Sequence, residues 1–394
     1  MSEVKFLDLT RQYRAIEAEL EEAILKVARS GQYILGPTVQ AFERQAADYL
    51  QVKRTVACAS GSDALLLSLM ALGIGPGDEV ITSTYTFFAT AGSIERLGAR
   101  PVFVDIEPDS FNLNPDEVAN RVTERTKAIV PVHLFGQCAR MEAIVAIGDR
   151  HNLKVVEDAC QAFGAARHGR KAGSFGETGC FSFFPTKNLG AFGDGGLIAT
   201  DSEELAERLL ILRDHGQKPR YHHGLVGINS RLDALQAAIL SVKLPYVDKW
   251  IENRREHASY YNEQLKNVDV KVPVEEEGNF HAFNQYVIRV RDRGRLLERF
   301  ERAKVGFALY YPVPLHLQEC FRDLGYREGD FPESEALAKE SLALPIYPEM
   351  TQDEQDAVIG EIKEHFDART EKLADSETRG FVKAGRKRPS RTAR

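Results

Sequence analysis

The stretch around which this chain is organised is Gly179-Cys180-Phe181-Ser182-Phe183-Phe184-Pro185-Thr186-Lys187-Asn188-Leu189-Gly190. It consists almost entirely of aromatic and small residues around a single lysine, although 28% of the whole chain is charged. A lysine in apolar surroundings loses hydration, and this lowers the pKa of its amine toward the range where it is a nucleophile. The alternative is a surface lysine whose stem lies along apolar residues. The rest of the chain favours the first interpretation.

Length and composition are those of a large globular protein. The 394 residues can form two or three domains, and 43% of them are hydrophobic. Because there is no long apolar run and no signal-peptide pattern, we expect a cytoplasmic protein without membrane contact. The net charge of −7 gives no general attraction for nucleic acid. The five cysteines are scattered, which favours buried free thiols over a zinc site, and we expect no bound metal.

Short β-rich runs alternate with helical patterns over most of the chain. An amphipathic helix is expected from Leu7 to about Arg29, and a long helical region between about 230 and 265 is interrupted at Pro245. Strands that alternate with helices form a mostly parallel sheet, which binds ligands at the carboxyl ends of its strands. The predicted strands are Thr55–Ala59, Glu79–Ser83, Pro101–Asp105, Lys127–His133, Lys154–Asp158, Gly179–Phe184 and Gly195–Ala199.

The C-terminal third has a different pattern, a compact mixture that includes strands near Gln285–Val290 and Phe307–Tyr311. We therefore predict an N-terminal arm and large domain at residues 1–245 and a small α+β domain at residues 246–370. Residues 371–394 carry many basic side chains among Gly, Ser, Thr and Pro, a composition typical of a disordered tail.

Two residues at strand ends indicate a cofactor. Asp158 is the last residue of the predicted strand Lys154–Asp158, and Lys187 lies downstream on the same sheet. A carboxylate that faces a protonated ring nitrogen and a lysine that forms a Schiff base are the two protein groups that pyridoxal phosphate chemistry requires. Considered alone, Asp158 could equally cap a following helix.

A turn of small residues, Ser60-Gly61-Ser62-Asp63, lies between a predicted strand and a helix. Its backbone N–H groups and the helix dipole suit a phosphate, although many loops of α/β proteins look similar. Ser182 offers a hydroxyl five residues before Lys187. The run Gly193-Asp194-Gly195-Gly196 lacks the order of strand, Gly-x-Gly-x-x-Gly and helix, which argues against a dinucleotide site.

Several motifs follow one another in a specific combination. They are Gly36-Pro37, Ser60-Gly61-Ser62, Thr86-Phe87-Phe88-Ala89-Thr90, Pro131-Val132-His133-Leu134-Phe135-Gly136, Glu157-Asp158-Ala159-Cys160-Gln161, Phe181-Ser182-Phe183 with Lys187, Gly227-Ile228-Asn229-Ser230-Arg231-Leu232-Asp233 and Pro314-Leu315-His316-Leu317-Gln318. With them the chain resembles, from Phe6 to about Phe366, the DegT–StrS family of sugar-nucleotide aminotransferases. The resemblance implies an α/β fold of the pyridoxal-phosphate-dependent transferase type I (aspartate-aminotransferase-like). That fold has a mostly parallel seven-stranded sheet in its large domain and a smaller α+β C-terminal domain.

The resemblance also implies a role for each matched residue. Lys187 binds pyridoxal 5'-phosphate as a Schiff base and then moves the proton between substrate and cofactor. Asp158 pairs with the pyridine nitrogen, Gln161 hydrogen-bonds the phenolic oxygen, and the ring of Phe87 stacks on the pyridine. The phosphate is held by Gly61, Ser62, Asp63 through its backbone, Ser182, and Asn229 from a second subunit. Each residue alone could be an ordinary core, loop or capping residue.

The implied reaction moves an amino group from L-glutamate to a nucleotide-linked keto-sugar, in two stages at one site of a homodimer. The motif around His316 resembles members that aminate a 3-keto hexose linked to dTDP or UDP, in amino-sugar biosynthesis for polysaccharides or antibiotics. His316, Arg231 and Tyr311 are candidates for substrate contact, and Arg231 could equally form an interface salt bridge. His133 could contact substrate or be a structural histidine. A 4-keto sugar nucleotide, a keto-cyclitol and a non-catalytic sugar-sensing regulator remain as alternatives.

Overall fold

Strands and helices alternate along residues 3–367, the part of the chain that the computed structural model describes. The strands are β1 (Arg54–Cys58), β2 (Glu79–Ser83), β3 (Arg100–Val104), β4 (Thr126–Val130), β5 (Lys154–Asp158), β6 (Ala166–Arg167), β7 (Arg170–Lys171), β8 (Thr178–Ser182), β9 (Gly196–Thr200), β10 (Asn279–Phe280), β11 (Tyr286–Arg289) and β12 (Ser341–Leu344). The helices are α1 (Leu9–Ala15), α2 (Glu17–Ser30), α3 (Pro37–Leu50), α4 (Gly61–Ala71), α5 (Ala89–Glu95), α6 (Pro115–Arg121), α7 (Met141–His151), α8 (Glu203–Leu212), α9 (Ala234–Lys243), α10 (Val247–Leu265), α11 (Gly294–Ala303), α12 (Pro332–Glu340) and α13 (352–367).

The central sheet has seven strands in the order β1-β9-β8-β5-β4-β2-β3. The pairs from β3 to β8 are parallel, while β9 runs antiparallel to both β8 and β1. Parallel neighbours need a crossover connection, and this explains why helices separate most of these strands along the chain. The predicted mostly parallel seven-stranded sheet is therefore confirmed.

Both faces of the sheet are covered, because successive side chains of a strand point to opposite sides. On β8, Phe181 belongs to an apolar core that also contains Phe42 of α3 and Leu240 of α9. Its neighbour Cys180 belongs to a second core, on the other face, with Leu65 of α4. The continuous apolar pattern of these short strands follows from this double burial.

The C-terminal part has an apolar core of its own. Tyr286 of β11 and Leu342 of β12, which lie in an antiparallel pair, pack there with Phe300 of α11. Val4 belongs to the same core and pairs with Val305, so the N-terminal arm reaches into the C-terminal part. The prediction had grouped this arm with the large domain. The domain boundary itself stays a prediction.

Helix α10 connects the two parts. It contributes Ile251 to the core beneath the central sheet and Tyr261 to the C-terminal core. Pro245 lies in the short 3-10 helix Leu244–Tyr246, which separates α9 from α10. A break at Pro245 was predicted, and the structure confirms it.

Some expectations are corrected or lie outside the described residues. The predicted strand at Phe307–Tyr311 is absent from residues 3–367 except for a single bridge between Ala308 and Ala343. Cys58, Cys138 and Cys180 are buried and free, whereas Cys320 is exposed. Within residues 3–367, no helix is long and apolar enough to cross a membrane, and no cluster of three acidic, histidine or cysteine side chains could hold a metal ion. The tail predicted at 371–394 lies outside the described range.

Candidate active site

A cavity of about 380 Å³ lies at the carboxyl ends of the central strands β5 and β8. This is the edge at which open parallel sheets bind their ligands. Its wall includes most of the predicted site residues, namely Gly61, Ser62, Phe87, Asp158, Gln161, Ser182, Lys187 and Tyr311. The structure thus brings together residues that are up to 250 positions apart in the chain.

Lys187 lies in the connection between β8 and β9, five residues after the end of β8. Its backbone N–H donates to the carbonyl of Phe184 at 2.9 Å, which closes a tight turn before the lysine. Burial of the side chain in the cavity wall lowers the pKa of its amine, and the nearby Asp158 opposes that shift. The amine therefore has a larger neutral fraction near neutral pH than that of an exposed lysine.

Asp158 is 5% exposed and is the last residue of β5. The hydroxyl of Thr90 donates to Oδ2 at 2.7 Å, and the N–H of Cys160 donates to Oδ1 at 3.2 Å. No helix begins after β5, because residues 159–165 form turns. The alternative of a helix cap is thereby removed, and the carboxylate is held at the wall of the cavity.

The N-terminus of α4 points at the same cavity. Ser60 caps this helix, since its hydroxyl oxygen accepts a hydrogen bond from the N–H of Asp63 at 3.1 Å. The N–H groups of Gly61 and Ser62 belong to the first turn, where no carbonyl of the helix can accept them. A side chain at Gly61 would place its Cβ only 2.7 Å from Cβ of Ser182, so the two elements approach as closely as they do because residue 61 is glycine. The result is a narrow cradle for an anion.

Asp63 does not line the cavity within one chain, and its role at the phosphate stays a prediction. Its N–H is taken by the capping hydroxyl of Ser60. Its carboxylate accepts a hydrogen bond from the hydroxyl of Ser230 at 2.8 Å, and that hydroxyl also accepts from the N–H of Ala59. Asp63 therefore connects the start of α4 to the segment that carries Asn229.

Gln161 and Tyr311 form one hydrogen-bonded pair across the cavity wall. The side-chain oxygen of Gln161 accepts from the N–H of Phe135 at 2.8 Å, and its NH2 group donates to the hydroxyl of Tyr311 at 2.8 Å. Burial raises the pKa of Tyr311, so its hydroxyl stays protonated and can donate. An amide NH2 has a second N–H, which Gln161 can offer to a ligand.

Phenylalanine side chains surround the mouth of the cavity. Phe87 is 56% exposed and Phe184 is 50% exposed, and both belong to its wall. The ring of Phe87 lies 6.2 Å from the ring of Tyr311. Large apolar side chains that remain exposed in this way are suited to cover a flat ring or a second protein surface.

Asn229 and Arg231 lie together outside the cavity. Asn229 is exposed, and its backbone pairs with that of Asp214. The guanidinium of Arg231 forms an ion pair with the carboxylate of Asp214 at 2.7 Å. Within one chain, therefore, neither predicted residue reaches the cavity.

Two histidines have both ring nitrogens hydrogen-bonded within the protein. The ring of His316 is bonded on both sides, with Thr84 Oγ1 2.7 Å from Nδ1 and Glu335 Oε1 3.2 Å from Nε2. It is not part of the cavity wall within one chain, and its contact with substrate stays a prediction. At His133, Nδ1 accepts from the N–H of Ala139, so Nε2 carries the proton and donates to the buried Glu157 at 2.8 Å.

The sequence pattern did not single out some residues in or beside the wall of the cavity. Thr90, which contacts Asp158, lies inside a quoted motif but received no role. Gln285, directly before β11, and Tyr310 belong to the wall itself. A hydroxyl or amide side chain in such segments has no signal of its own in one sequence.

Comparisons with known proteins agree on one group. The profile of the DegT/DnrJ/EryC1/StrS aminotransferase family matches residues 14–363. The chain is 50% identical over 366 residues to a protein of Geobacillus stearothermophilus described as a pleiotropic regulatory protein, covering 92% of this chain and 98% of that one. It is 43% identical over 345 residues to the UDP-2-acetamido-2-deoxy-3-oxo-D-glucuronate aminotransferase of Pseudomonas aeruginosa, covering 88% and 95%.

Solved structures share the fold. DesV of S. venezuelae, in complex with a ketimine intermediate, has a TM-score of 0.90 and 39% identity, covering 92% of this chain and 98% of that one. NtdA of Bacillus subtilis, with the cofactor PMP bound, has a TM-score of 0.87 and 33% identity, covering 93% and 86%.

Proposed function

Because the chain belongs to the DegT/DnrJ/EryC1/StrS aminotransferase family, we propose that it transfers the amino group of L-glutamate to a nucleotide-linked 3-keto hexose, with pyridoxal phosphate as cofactor. The observation that carries the proposal is the placement of Lys187 and Asp158 at one cavity. An amine that can bond a carbonyl carbon and a carboxylate that can face a ring nitrogen are what this cofactor needs from a protein.

The residues at the cavity fit the polar parts of this cofactor. The free N–H groups of Gly61 and Ser62, with the hydroxyl of Ser182, would hold its phosphate. Asp158 would face its ring nitrogen, and the second N–H of Gln161 would reach its phenolic oxygen. When bound, the cofactor supplies an electron sink that stabilises negative charge on the carbon next to the amino group.

Lys187 is the group that moves protons. The lowered pKa of its amine gives a neutral fraction that can accept the proton of the substrate carbon. After it has accepted the proton, the ammonium can return it to a neighbouring atom, so one side chain serves both directions. Asp158, oriented by Thr90, would place a fixed negative charge beside the ring nitrogen of the cofactor and so keep that nitrogen protonated.

Tyr311 and the phenylalanines would orient the substrate. The hydroxyl of Tyr311 stays a donor because burial raises its pKa, and it would bond a hydroxyl or keto oxygen of the sugar. Phe87 and Phe184 would cover the reacting groups and exclude water. Exclusion of water strengthens the electrostatic contacts inside the cavity.

The choice of acceptor rests on the relatives. The Pseudomonas relative, 43% identical, is named as acting on a UDP-linked 3-oxo sugar, which supports amination at C3. A 4-keto sugar nucleotide and a keto-cyclitol are the competing acceptors. All three would use the same Lys187 and Asp158, so the chemistry of the site alone does not separate them.

A regulatory role is the second candidate, favoured by the relative that is 50% identical and described as a pleiotropic regulatory protein. A regulator that had lost catalysis would have no need of an amine and a carboxylate at one cavity. Lys187 and Asp158 are both in place, with the cradle at Gly61 beside them. This chain therefore favours an enzyme, in the cytoplasm as the sequence predicts.

We also propose that a homodimer forms the working unit. Asn229 is exposed and lies away from its own cavity, so its predicted phosphate contact needs a second chain. Val226, three residues earlier, is 91% exposed, and the cavity mouth exposes Phe87 and Phe184. Exposed apolar side chains at both places are expected where two chains meet.

A panel of acceptors tests the proposal. Purified protein loaded with pyridoxal phosphate is incubated with L-glutamate and, separately, with 3-keto and 4-keto nucleotide sugars and a keto-inositol, and 2-oxoglutarate and amino sugar are measured. We expect turnover with a 3-keto sugar nucleotide. Lys187→Ala should abolish both turnover and the visible absorbance of the lysine-linked cofactor, while Lys249→Ala, at an exposed lysine, should change neither. Turnover by Lys187→Ala at the rate of the native enzyme would overturn the proposal.

A further inference from the structure

The segment that carries Lys187 has no regular secondary structure of its own. This segment, residues 183–195, is named here the lysine loop and connects β8 to β9. Its backbone is closed at the base by two hydrogen bonds, from Phe183 N–H to the carbonyl of Gly195 and from Ala191 N–H to the carbonyl of Phe183, both 2.8 Å. These bonds leave the tip of the loop to be held by contacts from outside.

Helix α9 makes two such contacts from one face. Gln236 and Lys243 are seven residues apart, which places them two turns apart on the same side of a helix. The side-chain oxygen of Gln236 accepts from the N–H of Phe192 at 2.8 Å, and its NH2 group lies 3.4 Å from the carbonyl of the same residue. Nζ of Lys243 donates to the carbonyl of Gly190 at 2.7 Å.

Lys243 is unusual because it is almost fully buried, with 2% of its surface exposed. Among residues 3–367 it forms no ion pair. Its contacts are the carbonyl of Gly190 and, 5.0 Å away, the ring of Phe192. Burial lowers its pKa to about 8, and the charge of Glu349 opposes the shift. Burying an ammonium costs free energy, and at this place it secures one carbonyl of the lysine loop.

A contact to the carbonyl of Gly190 can fix the position of Lys187. Gly190 lies directly over Pro185, because a Cβ on Gly190 would come within 2.3 Å of the carbonyl oxygen of Pro185. The loop is therefore folded on itself around the lysine. A contact that fixes Gly190 also fixes the turn two residues before Lys187.

Helix α9 is itself anchored to the rest of the protein. The first N–H of α9, at Ala234, donates to the carbonyl of Tyr33 at 2.8 Å, and the helix packs against α2 and α3. Its buried residues Ala237 and Leu240 belong to the core beneath the central sheet. A helix held in this way can transmit the rigidity of the core to a loop.

We propose that Lys243 and Gln236 are positioning residues, which hold the lysine loop so that the amine of Lys187 faces the reacting atoms. The proposal rests on the proposed function, because Lys187 is taken as the reacting amine. A solely structural role for the two residues is the alternative. It would lower the thermal stability of the protein without changing the order of the loop or the rate of the chemical step.

Hydrogen exchange of the lysine loop tests the positioning without any need for activity. Exchange of a peptide that covers residues 185–193 is measured in the full chain for the native protein, Lys243→Met and Gln236→Leu, with Lys249→Met as the matched control at an exposed lysine. We expect exchange to be at least tenfold faster than in the native protein for the two variants. The exchange rate of the control should equal that of the native protein. Unchanged exchange in the folded variants would overturn the proposal.

Steady-state kinetics of amino transfer from glutamate to a saturating keto-sugar nucleotide provide the second measurement. Because a misplaced catalytic group can cost about a hundredfold in rate, we expect kcat to fall tenfold to a hundredfold, with KM for glutamate changed less than about threefold. Gln236→Glu keeps the acceptor for the N–H of Phe192 and should restore most of the rate. Faster exchange with kcat unchanged would also overturn the proposal.

The positioning role can still be tested in two further cases. If Lys243→Met does not fold, Gln236→Leu decides, because that side chain is only half-buried. If the native protein shows no amino transfer, the proposed function fails, while the exchange measurement still decides whether α9 orders the lysine loop.

Discussion

The hydroxyl of Thr90 lies 2.7 Å from Oδ2 of Asp158 and donates to it, so that one turn of α5 holds the buried carboxylate. The N–H of Cys160 holds the other oxygen, Oδ1, at 3.2 Å. Together the two bonds fix the plane of the carboxylate. Phe87, which we propose to stack on the cofactor ring, lies three residues before Thr90, and its carbonyl accepts from the N–H of Thr90 at 3.3 Å. The groups proposed for the ring nitrogen and the ring face are thus positioned by the same short segment.

Thr90→Val should lower kcat about tenfold and should also lower the free energy of unfolding, because it removes a hydrogen bond to a buried carboxylate. A hydrogen bond to a charged group contributes about 1.5–3 kcal/mol, and its loss here would let the carboxylate of Asp158 rotate away from the ring nitrogen. The measurement is steady-state turnover together with the visible spectrum of the bound cofactor. Thr90→Ser keeps the donor and should remain within about threefold of the native rate. Equal rates for the valine and native proteins would show that this bond has no catalytic effect.

Gly61→Ala should weaken the binding of pyridoxal phosphate at least tenfold. The added Cβ would lie 2.7 Å from Cβ of Ser182 and 2.8 Å from Sγ of Cys160, so the cradle for the phosphate must widen. Overpacking of this kind costs about 1–3 kcal/mol. Titration of the cofactor-free protein, followed by absorbance, gives the dissociation constant. Gly75→Ala is the matched control, because a Cβ at Gly75 meets nothing within 4 Å.

Much of the fold could be predicted because one physical signal recurs. Strands buried on both faces read as short apolar runs, and helices must separate parallel neighbours, so β2 and β5 were predicted with their observed ends. The strand predicted at Phe307–Tyr311 was wrong because the prediction relied on this same signal, a short apolar run. That segment is rich in aromatic residues because Tyr310 and Tyr311 cover the cavity, and strand pairing plays little part there.

The site was predictable where a residue type has one chemical use. A lysine among aromatic residues and an aspartate at a strand end led to the cavity, and the structure places both there. Residues whose use depends on partners were not predictable. At His316 the ring nitrogens are bonded by Thr84 and Glu335, 232 and 19 positions away, and one sequence does not show such partners. Lys243 ends an amphipathic helix, where a lysine is normally a solvated residue.

The buried Lys243 predicts a specific dependence of stability on pH. Its pKa falls from 10.5 in the unfolded chain to about 8 in the folded protein. Between these values the unfolded chain binds the extra proton, so this lysine makes the free energy of unfolding rise with pH. The full difference corresponds to about 3 kcal/mol.

Denaturant unfolding of the native protein and of Lys243→Met at pH 8, 9 and 10 measures this effect. The difference between the free energies of unfolding of the native protein and the variant should increase with pH, by about 1–3 kcal/mol between pH 8 and pH 10. Lys249→Met should follow the native curve, because Lys249 is exposed. A constant difference between native protein and Lys243→Met would contradict a depressed pKa.

Mixing two variants that lack different groups tests whether the site is shared between chains. Lys187→Ala lacks the reacting amine, and Asn229→Ala lacks the amide that we propose to complete the phosphate site of the partner. Alone, Lys187→Ala should be inactive, and Asn229→Ala should bind the cofactor about tenfold more weakly, as expected for the loss of a hydrogen bond to a charged group. In a mixed dimer, one of the two sites receives both Lys187 and Asn229 and becomes native. Refolding the variants together should therefore restore tight cofactor binding and turnover in about a quarter of all sites, since half of the dimers formed at random are mixed. If Asn229 instead served its own chain, every site in the mixture would lack one group and no activity would return at low cofactor concentration.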